Sequence, residues 1–253
     1  MIKVYKIGGN VINDDKQLRN FLKDFSDIPG KKILVHGGGK EATDYGNKIG
    51  LKAQMINGRR VTDKETLDLV TMIYAGLINK RIVEILQEFD CNAVGLTGAD
   101  GNVIPADKRN PEPVDFGYVG DLTPRDINTD FISLLLESNY TPVFCAICRN
   151  KEGGLLNCNA DSIASAVAVA YSPIEPTELI FCFEKEGVLN SHNDVVSNIT
   201  SEIFSNMVVS GEISGGMIPK VENAIKALDS GVGSVRICSS KDIKSSKGTR
   251  IKK

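Results

Sequence analysis

The chain opens with Ile2-Lys3-Val4-Tyr5-Lys6-Ile7-Gly8-Gly9, a strand-like run that passes straight into a glycine pair. Val35-His36-Gly37-Gly38-Gly39-Lys40 repeats the arrangement: β-rich residues 32–36 feed a glycine turn, and a helical pattern over residues 41–49 follows and stops at Gly50. Outward from these two units the alternation continues. Thr62 with Glu65 three positions on reads as a capping box, opening a long helix with apolar Leu67, Val70, Ile73, Leu77, Ile82 and Ile85. Thr123-Pro124 marks another helix start, with proline at the first helical position. Residues 161–171 read as a helix rich in small side chains, and residues 177–183 and 233–238 as late strands. Such alternation specifies an α/β chain, a three-layer αβα sandwich with a mainly parallel central sheet.

Prolines punctuate this pattern. Pro173 and Pro176 flank the expected boundary between an N-terminal lobe, residues 1–172, and a C-terminal lobe, residues 173–253. Pro105, Pro111 and Pro113 interrupt residues 100–121, where an excursion with a hairpin and a short strand over residues 114–119 is expected. The basic residues 241–253 read as a solvated end.

With 253 residues the chain can bury a sizeable core in one large domain or two lobes. Charged residues make up 25% and hydrophobic ones 42%, an ordinary globular balance. A formal net charge of −2 argues against a nucleic-acid surface, and no apolar run is long enough to span a bilayer. The first strand has neither the length nor the cleavage site of a signal peptide, so a cytoplasmic location is expected. Six cysteines include Cys145-Ala146-Ile147-Cys148, but no second pair matches that spacing, and only His36 and His192 could add imidazoles. Buried thiols are the expected state rather than a metal or redox centre.

Chemistry concentrates at the glycine turns. Ser214-Gly215-Gly216-Met217-Ile218-Pro219-Lys220 runs a glycine pair into a helix and leaves Lys220 on its first turn. With Lys6, it provides two lysines beside glycine turns at opposite ends of the sequence, a pair that can clamp one polyanion. The turn at Gly37-Gly38-Gly39 satisfies neither the Walker nor the dinucleotide pattern, yet glycines let backbone N–H groups approach phosphate oxygens at a helix N-terminus. Asn157-Cys158-Asn159-Ala160-Asp161 stands where a strand meets a helix, with helix capping as the competing use of Asn159 or Asp161. In Asn57-Gly58-Arg59-Arg60-Val61-Thr62 an arginine can fork onto a carboxylate, or simply lie on the surface.

Taken in order, these stretches resemble the amino-acid kinase family, with its carbamate kinase-like fold, and within it the branch that acts on acylated glutamate. The likeness rests on K-x-G-G at Lys6, H-G-G-G at His36, N-G-x-R-V-T at Asn57 and the glycine hairpin Gly117-Tyr118-Val119-Gly120. It continues through N-x-N-A-D at Asn157 and G-G-M-x-x-K at Gly215 to the closing Gly248-Thr249-Arg250-Ile251. The resemblance implies that Lys6 and Lys220 stabilise charge on a transferring phosphoryl group while Asp161 holds both lysines in place. It implies phosphate and nucleotide binding by Gly8, Gly9, Gly215 and Gly216, and binding of the acyl-amino acid by Gly37, Gly38, Arg60 and Asn157.

The implied reaction is transfer from ATP to the γ-carboxylate of N-acetyl-L-glutamate, the second step of arginine biosynthesis, with Mg²⁺ held by phosphates and water and no protein metal ligand. N-succinyl-L-glutamate is the alternative substrate. Kinases of free glutamate or carbamate, and a non-catalytic amino-acid or nucleotide sensor, are the rivals on the same fold. A start directly at the first strand, without the extra N-terminal helix of arginine-inhibited relatives, implies an arginine-insensitive homodimer paired through the long helix after Thr62. Where many relatives carry Thr-Asp-Val-x-Gly, this chain has Phe183-Glu184-Lys185-Glu186-Gly187.

Overall fold

Eight strands build the central sheet: β1 (Ile2–Ile7), β2 (Lys32–His36), β3 (Ala93–Leu96), β4 (Thr141–Phe144), β5 (Thr177–Phe183), β6 (Asn198–Ile199), β7 (Ser234–Ser239) and β8 (Thr249–Ile251). The computed structural model describes residues 1–56, 58–213, 215 and 217–253. The strand order is β6-β8-β7-β5-β1-β2-β4-β3. Every neighbouring pair from β7 to β3 is parallel, β8 pairs antiparallel to β7, and β6 pairs parallel to β8. Successive strand side chains point to opposite faces, yet every residue of β2 and β4 is buried, so both faces are covered. The helices Ala160–Tyr171 and Met217–Asp229 pack on each other and on β1, β5 and β7. The helix Asn79–Glu88 lies on β3 and β4. The expected three-layer α/β sandwich is the observed fold. The sheet crosses residues 172 and 173 without a break, because β1 pairs with β5 over its whole length.

Several local expectations are corrected by tertiary pairing. The long helix is capped by Asp63, whose carboxylate accepts the Thr66 N–H at 2.8 Å, and not by Thr62. Thr62 is instead fully buried, with backbone bonds to Phe116 and Tyr118. The helix runs through Lys64–Thr71, a π-helical stretch Met72–Ile78 and Asn79–Glu88, with helical backbone at both junctions. Thr123-Pro124 starts only a 3-10 turn, Pro124–Asp126; the α-helix begins at Thr129, where the Asn128 side chain accepts the Phe131 N–H at 3.1 Å.

The strand expected over residues 114–119 lies at Gly120–Leu122, where it pairs with Pro105–Lys108. Gly117 and Val119 contribute single bridges, to Thr62 and Asn157. The C-terminal residues are a solvated end only in part: Lys241, Lys247, Lys252 and Lys253 are exposed, while Ile243, Thr249 and Ile251 are buried. Lys244 pairs with Asp24 and Asp27 at 2.9 and 2.6 Å, and β8 inserts between β6 and β7. All six cysteines are buried free thiols, and burial pushes the Cys145 thiol up to about 12.

Candidate functional site

Parallel strands present their carboxyl ends at one edge of the sheet, where α/β folds bind ligands. Here β1, β2 and β5 lie side by side there, with Ile7 in register with both His36 and Cys182. Lys6 sits one residue from the end of β1 and is nearly buried. Its Nζ meets Asp161 Oδ1 at 2.6 Å, a close ion contact whose angle does not suit an aligned hydrogen bond. Asp161 is delivered by the first turn of the helix Ala160–Tyr171, which Asn159 caps by accepting the Ser162 N–H at 3.1 Å. Asn159 is therefore the cap, and Asp161 is left for the lysine.

Lys220, on the first turn of Met217–Asp229, reaches the same place from the opposite end of the chain. Its Nζ stands 3.8 Å from the centroid of the Phe183 ring, while Lys6 Nζ is 5.1 Å from the same ring. Burial pulls the Lys220 pKa below its ordinary value, and the neighbouring Lys6 charge pulls it further; Asp161 and Glu184 oppose both. Across this cleft Asn10 Nδ2 donates to Glu184 Oε1 at 3.1 Å, tying the turn after β1 to the residue after β5.

The glycine turns differ in what they offer. Gly8 spends its N–H on Cys182 O at 3.0 Å, which removes it as a phosphate donor. A Cβ on Gly8 would stand 3.1 Å from Phe183 Cδ1, so this glycine instead admits the ring. Among the described residues no backbone acceptor meets the N–H of Gly9, Gly37 or Gly38. Gly9 has open space beside it, and Gly37 abuts Ala160 at the start of the Asp161 helix. Gly38 is pressed by Tyr74 and Ile78 of the π-helical stretch. Gly215 (φ +56°) precedes the Lys220 helix in a left-handed conformation, and Gly216, also expected at this site, lies outside the described residues.

Fully buried His36 fixes the second turn. Asn79 Nδ2 lies 3.0 Å from His36 Nε2 and donates to Val143 O at 2.9 Å. An amide nitrogen can only donate, so Nε2 accepts and the Nδ1–H points to Gly37 O at 2.8 Å. Burial holds the imidazole neutral, with its pKa down to about 4.

Arg60 is also buried, at the end of a two-stranded hairpin, Met55–Ile56 with Arg59–Arg60; Asn57 lies outside the described residues. One guanidinium nitrogen donates to Gly39 O at 2.8 Å and to Thr43 Oγ1 at 2.7 Å, locking the arginine onto the glycine turn. Asn157 Nδ2 donates to Thr62 Oγ1 at 3.1 Å, and its backbone N–H donates to Tyr118 O. These contacts link the expected substrate residues in a chain: Gly38 to Tyr74, Gly39 to Arg60, Thr62 to Asn157. Lys6, Lys220, Asp161 and Gly8 form the adjoining cluster through Phe183.

Thr43 and Tyr74 carry no sequence signal of their own, and Phe183 and Glu184 stand out in the sequence only as part of a departure from the relatives, without a role. An apolar residue ending a strand carries no local sign of facing a charge, although the departure at residues 183–187 did point to the region. Two other cavities lie elsewhere: one of about 380 Å³ lined by Glu186, Ser197, Lys247 and Arg250 among others, one of about 650 Å³ lined by Thr123, Arg125, Val169 and Gly231 among others. Neither is lined by Lys6, Asp161 or Lys220.

Residues 1–239 match the amino acid kinase family. The acetylglutamate kinase of Parabacteroides distasonis is 45% identical over 249 residues, 97% of each chain. That of Cytophaga hutchinsonii is 44% identical over 249 residues, 96% of this chain and 94% of that one. The crystal structure of smu.665 from Streptococcus mutans UA159 superposes with a TM-score of 0.84 at 33% identity, over 99% of this chain and 98% of that one. The carbamate kinase of Giardia superposes with a TM-score of 0.71 at 18% identity, over 100% and 98%, a likeness of fold. A match of this extent, over a chain whose two end-lysines converge on one aromatic ring, with Lys6 also paired to a helix-borne aspartate, means that this chain belongs to the amino acid kinase family.

Proposed function

We propose that the chain transfers the γ-phosphoryl group of ATP to the γ-carboxylate of N-acetyl-L-glutamate, giving ADP and N-acetyl-L-glutamyl 5-phosphate, the second step of arginine biosynthesis. The observation that carries this reading is the convergence of Lys6 and Lys220, paired with Asp161 and Phe183, at the carboxyl ends of β1 and β5. Full-length likeness to relatives named acetylglutamate kinase supports the substrate.

The chemistry suits these groups. A carboxylate acceptor is already ionised at neutral pH, its pKa being about 4, so the site needs no general base. Neutral, hydrogen-bonded His36 is accordingly a scaffold. Phosphoryl transfer depends on in-line positioning and charge stabilisation, the work of two ammonium groups held at one place. The donor is written as the magnesium complex of ATP, its cation held by phosphates and water. In this reading Gly9 and Gly215 offer N–H groups to phosphate oxygens, Gly216 joins them, and Gly8 serves as the contact that admits Phe183. Gly37 and Gly38 receive the acyl-amino acid, Arg60 forks its remaining N–H groups onto the α-carboxylate, and Asn157 binds the amide side.

Residues 1–172 form the acylglutamate lobe and residues 173–253 the nucleotide lobe. Two copies pair through the helix that begins at Lys64, on which Met72 is 61% exposed. The enzyme works in the cytoplasm.

The test is ADP release at fixed magnesium and ATP with N-acetyl-L-glutamate, N-succinyl-L-glutamate and free L-glutamate in turn. Preference for the acetylated substrate supports the proposal. Preference for the succinylated one changes the acyl group, activity on free glutamate alone moves the chain to another kinase branch, and ligand binding without ADP release makes it a sensor.

A further inference from the structure

We propose that the Phe183 ring is a positioning residue for Lys220, a cation–π seat that shares with Asp161 the task of holding two like charges together. This rests on the kinase reading above. The division of labour is visible in the contacts. Asp161 touches Lys6 at 2.6 Å, while among the described residues no carboxylate comes within salt-bridge distance of Lys220, on which Asp161 and Glu184 act only at longer range. What Lys220 has instead is an aromatic face, 3.8 Å from Nζ to ring centroid.

Three observations fix that ring. Phe183 stacks on Phe181 with planes inclined by 3° and centroids 6.3 Å apart. It is 3% exposed, at the last position of β5. Gly8 leaves its edge unobstructed, since a side chain there would begin 3.1 Å from Cδ1. The ring therefore cannot turn its face away without disturbing β5 or the turn after β1.

A benzene face carries a negative quadrupole, so an ammonium above it is attracted without being neutralised. That distinction matters for phosphoryl transfer. A carboxylate in direct contact with Lys220 would compete with the phosphoryl oxygens for the same charge. A ring orients the ammonium from behind and leaves its N–H donors to the ligand. The arrangement also counters the repulsion from Lys6 without placing a carboxylate in direct contact with Lys220. Phe183 is thus the counterpart, for the second lysine, of what Asp161 is for the first.

The test replaces Phe183 with 3,5-difluorophenylalanine and 3,4,5-trifluorophenylalanine, which keep the ring's shape and drain its face, beside Phe183→Leu. With saturating magnesium-ATP and N-acetyl-L-glutamate, kcat should fall stepwise along the fluorinated series, reaching roughly ten-fold. The KM for N-acetyl-L-glutamate should stay within about two-fold, because the proposed function places that substrate at Gly37, Gly38, Arg60 and Asn157 and not at the ring. A flat kcat across the fluorinated series, even with Phe183→Leu impaired, would reduce the ring to packing and overturn the proposal.

A second readout does not depend on turnover. In resting protein with ¹³C-labelled lysine, the Lys220 ε-methylene protons should resonate upfield of the other lysines, and that shift should vanish in Phe183→Leu. Absence of the shift in the unsubstituted protein would overturn the seat whatever the kinetics. Presence of the shift in a protein inactive on every acylglutamate would support the seat and overturn the kinase reading instead.

Discussion

Two ammonium groups confined to one small volume repel each other, and this chain answers with a carboxylate on Lys6 and an aromatic face on Lys220. Removing either partner should separate binding from turnover. Lys220→Ala is expected to lower kcat by roughly 10²–10³ or more while calorimetry still detects N-acetyl-L-glutamate, as follows when a group acts mainly on developing charge. Loss of both stability and binding would mark the lysine as structural. The pH profile carries a sharper statement. The Lys220 pKa is already below the ordinary lysine value through burial and Lys6, while Asp161 holds it up. Catalysis needs the charged form, so kcat should decline as pH rises through that lowered pKa. In Asp161→Asn the supporting negative charge is gone, and the alkaline limb should move to lower pH; a limb that stays put or moves up would contradict the assignment. The lysines were legible in the sequence because each stands beside a glycine pair. Phe183 was not, because the residue's job comes from β1 and β5 lying side by side, a pairing between residues 7 and 182 that local pattern does not carry.

At the level of elements, the turn after β2 is held from three sides: by His36 on its own strand, by Asn79 of the long helix, and by Tyr74 and Ile78 of the π-helical stretch. Gly38→Ala would place a methyl 2.8 Å from Tyr74 Cδ1 and closer still to Ile78, in a packed interior that cannot give way cheaply. It should cost about 1–3 kcal/mol in a denaturant titration. Gly9→Ala meets nothing within 4 Å, so it should fold with unchanged stability, and any loss of activity in it reports the close approach of a phosphate. The same turn predicts an acid response. His36 is neutral with a folded pKa down to about 4, against a model-peptide value near ~6.5. Between those values the unfolded chain binds the extra proton, so stability falls as pH drops through that window, by on the order of 3 kcal/mol, and levels off below it. His36→Asn should lose this slope in denaturant midpoints measured from pH 7 to 4. The strand, the glycine turn and the helix were each readable from spacing. The cap was misplaced by one residue because Thr62 and Asp63 are both good cap formers, and only the pairing of Thr62 with Phe116 and Tyr118 decides between them.

Across the whole molecule, the sheet brings the last residues of the chain to the loop that follows the site. Their charge suggested a solvated end, and local composition cannot show otherwise, since β8 exists only through pairing with β6 and β7. Thr249 on β8 is fully buried, and its Oγ1 accepts the Val188 N–H at 2.8 Å. Gly187 lies against the same hydroxyl, at a distance of 2.8 Å for a Cβ placed there. The loop running from Glu184 to Val188 is thereby pinned at one end by β5, which holds Phe183, and at the other by the C-terminal strand. Thr249→Val keeps the shape of the side chain and deletes the acceptor, leaving a buried N–H unpaired at a cost of about 1–3 kcal/mol. Val188 does not belong to the lysine cluster, so the chemical step should be largely spared. If residues 184–188 border the nucleotide, as the proposed C-terminal lobe requires, the KM for ATP should rise several-fold while the KM for N-acetyl-L-glutamate and kcat change little. Equal rises in both Michaelis constants would mean that β8 supports the fold as a whole. A destabilised enzyme with unchanged ATP affinity would move the nucleotide away from this loop.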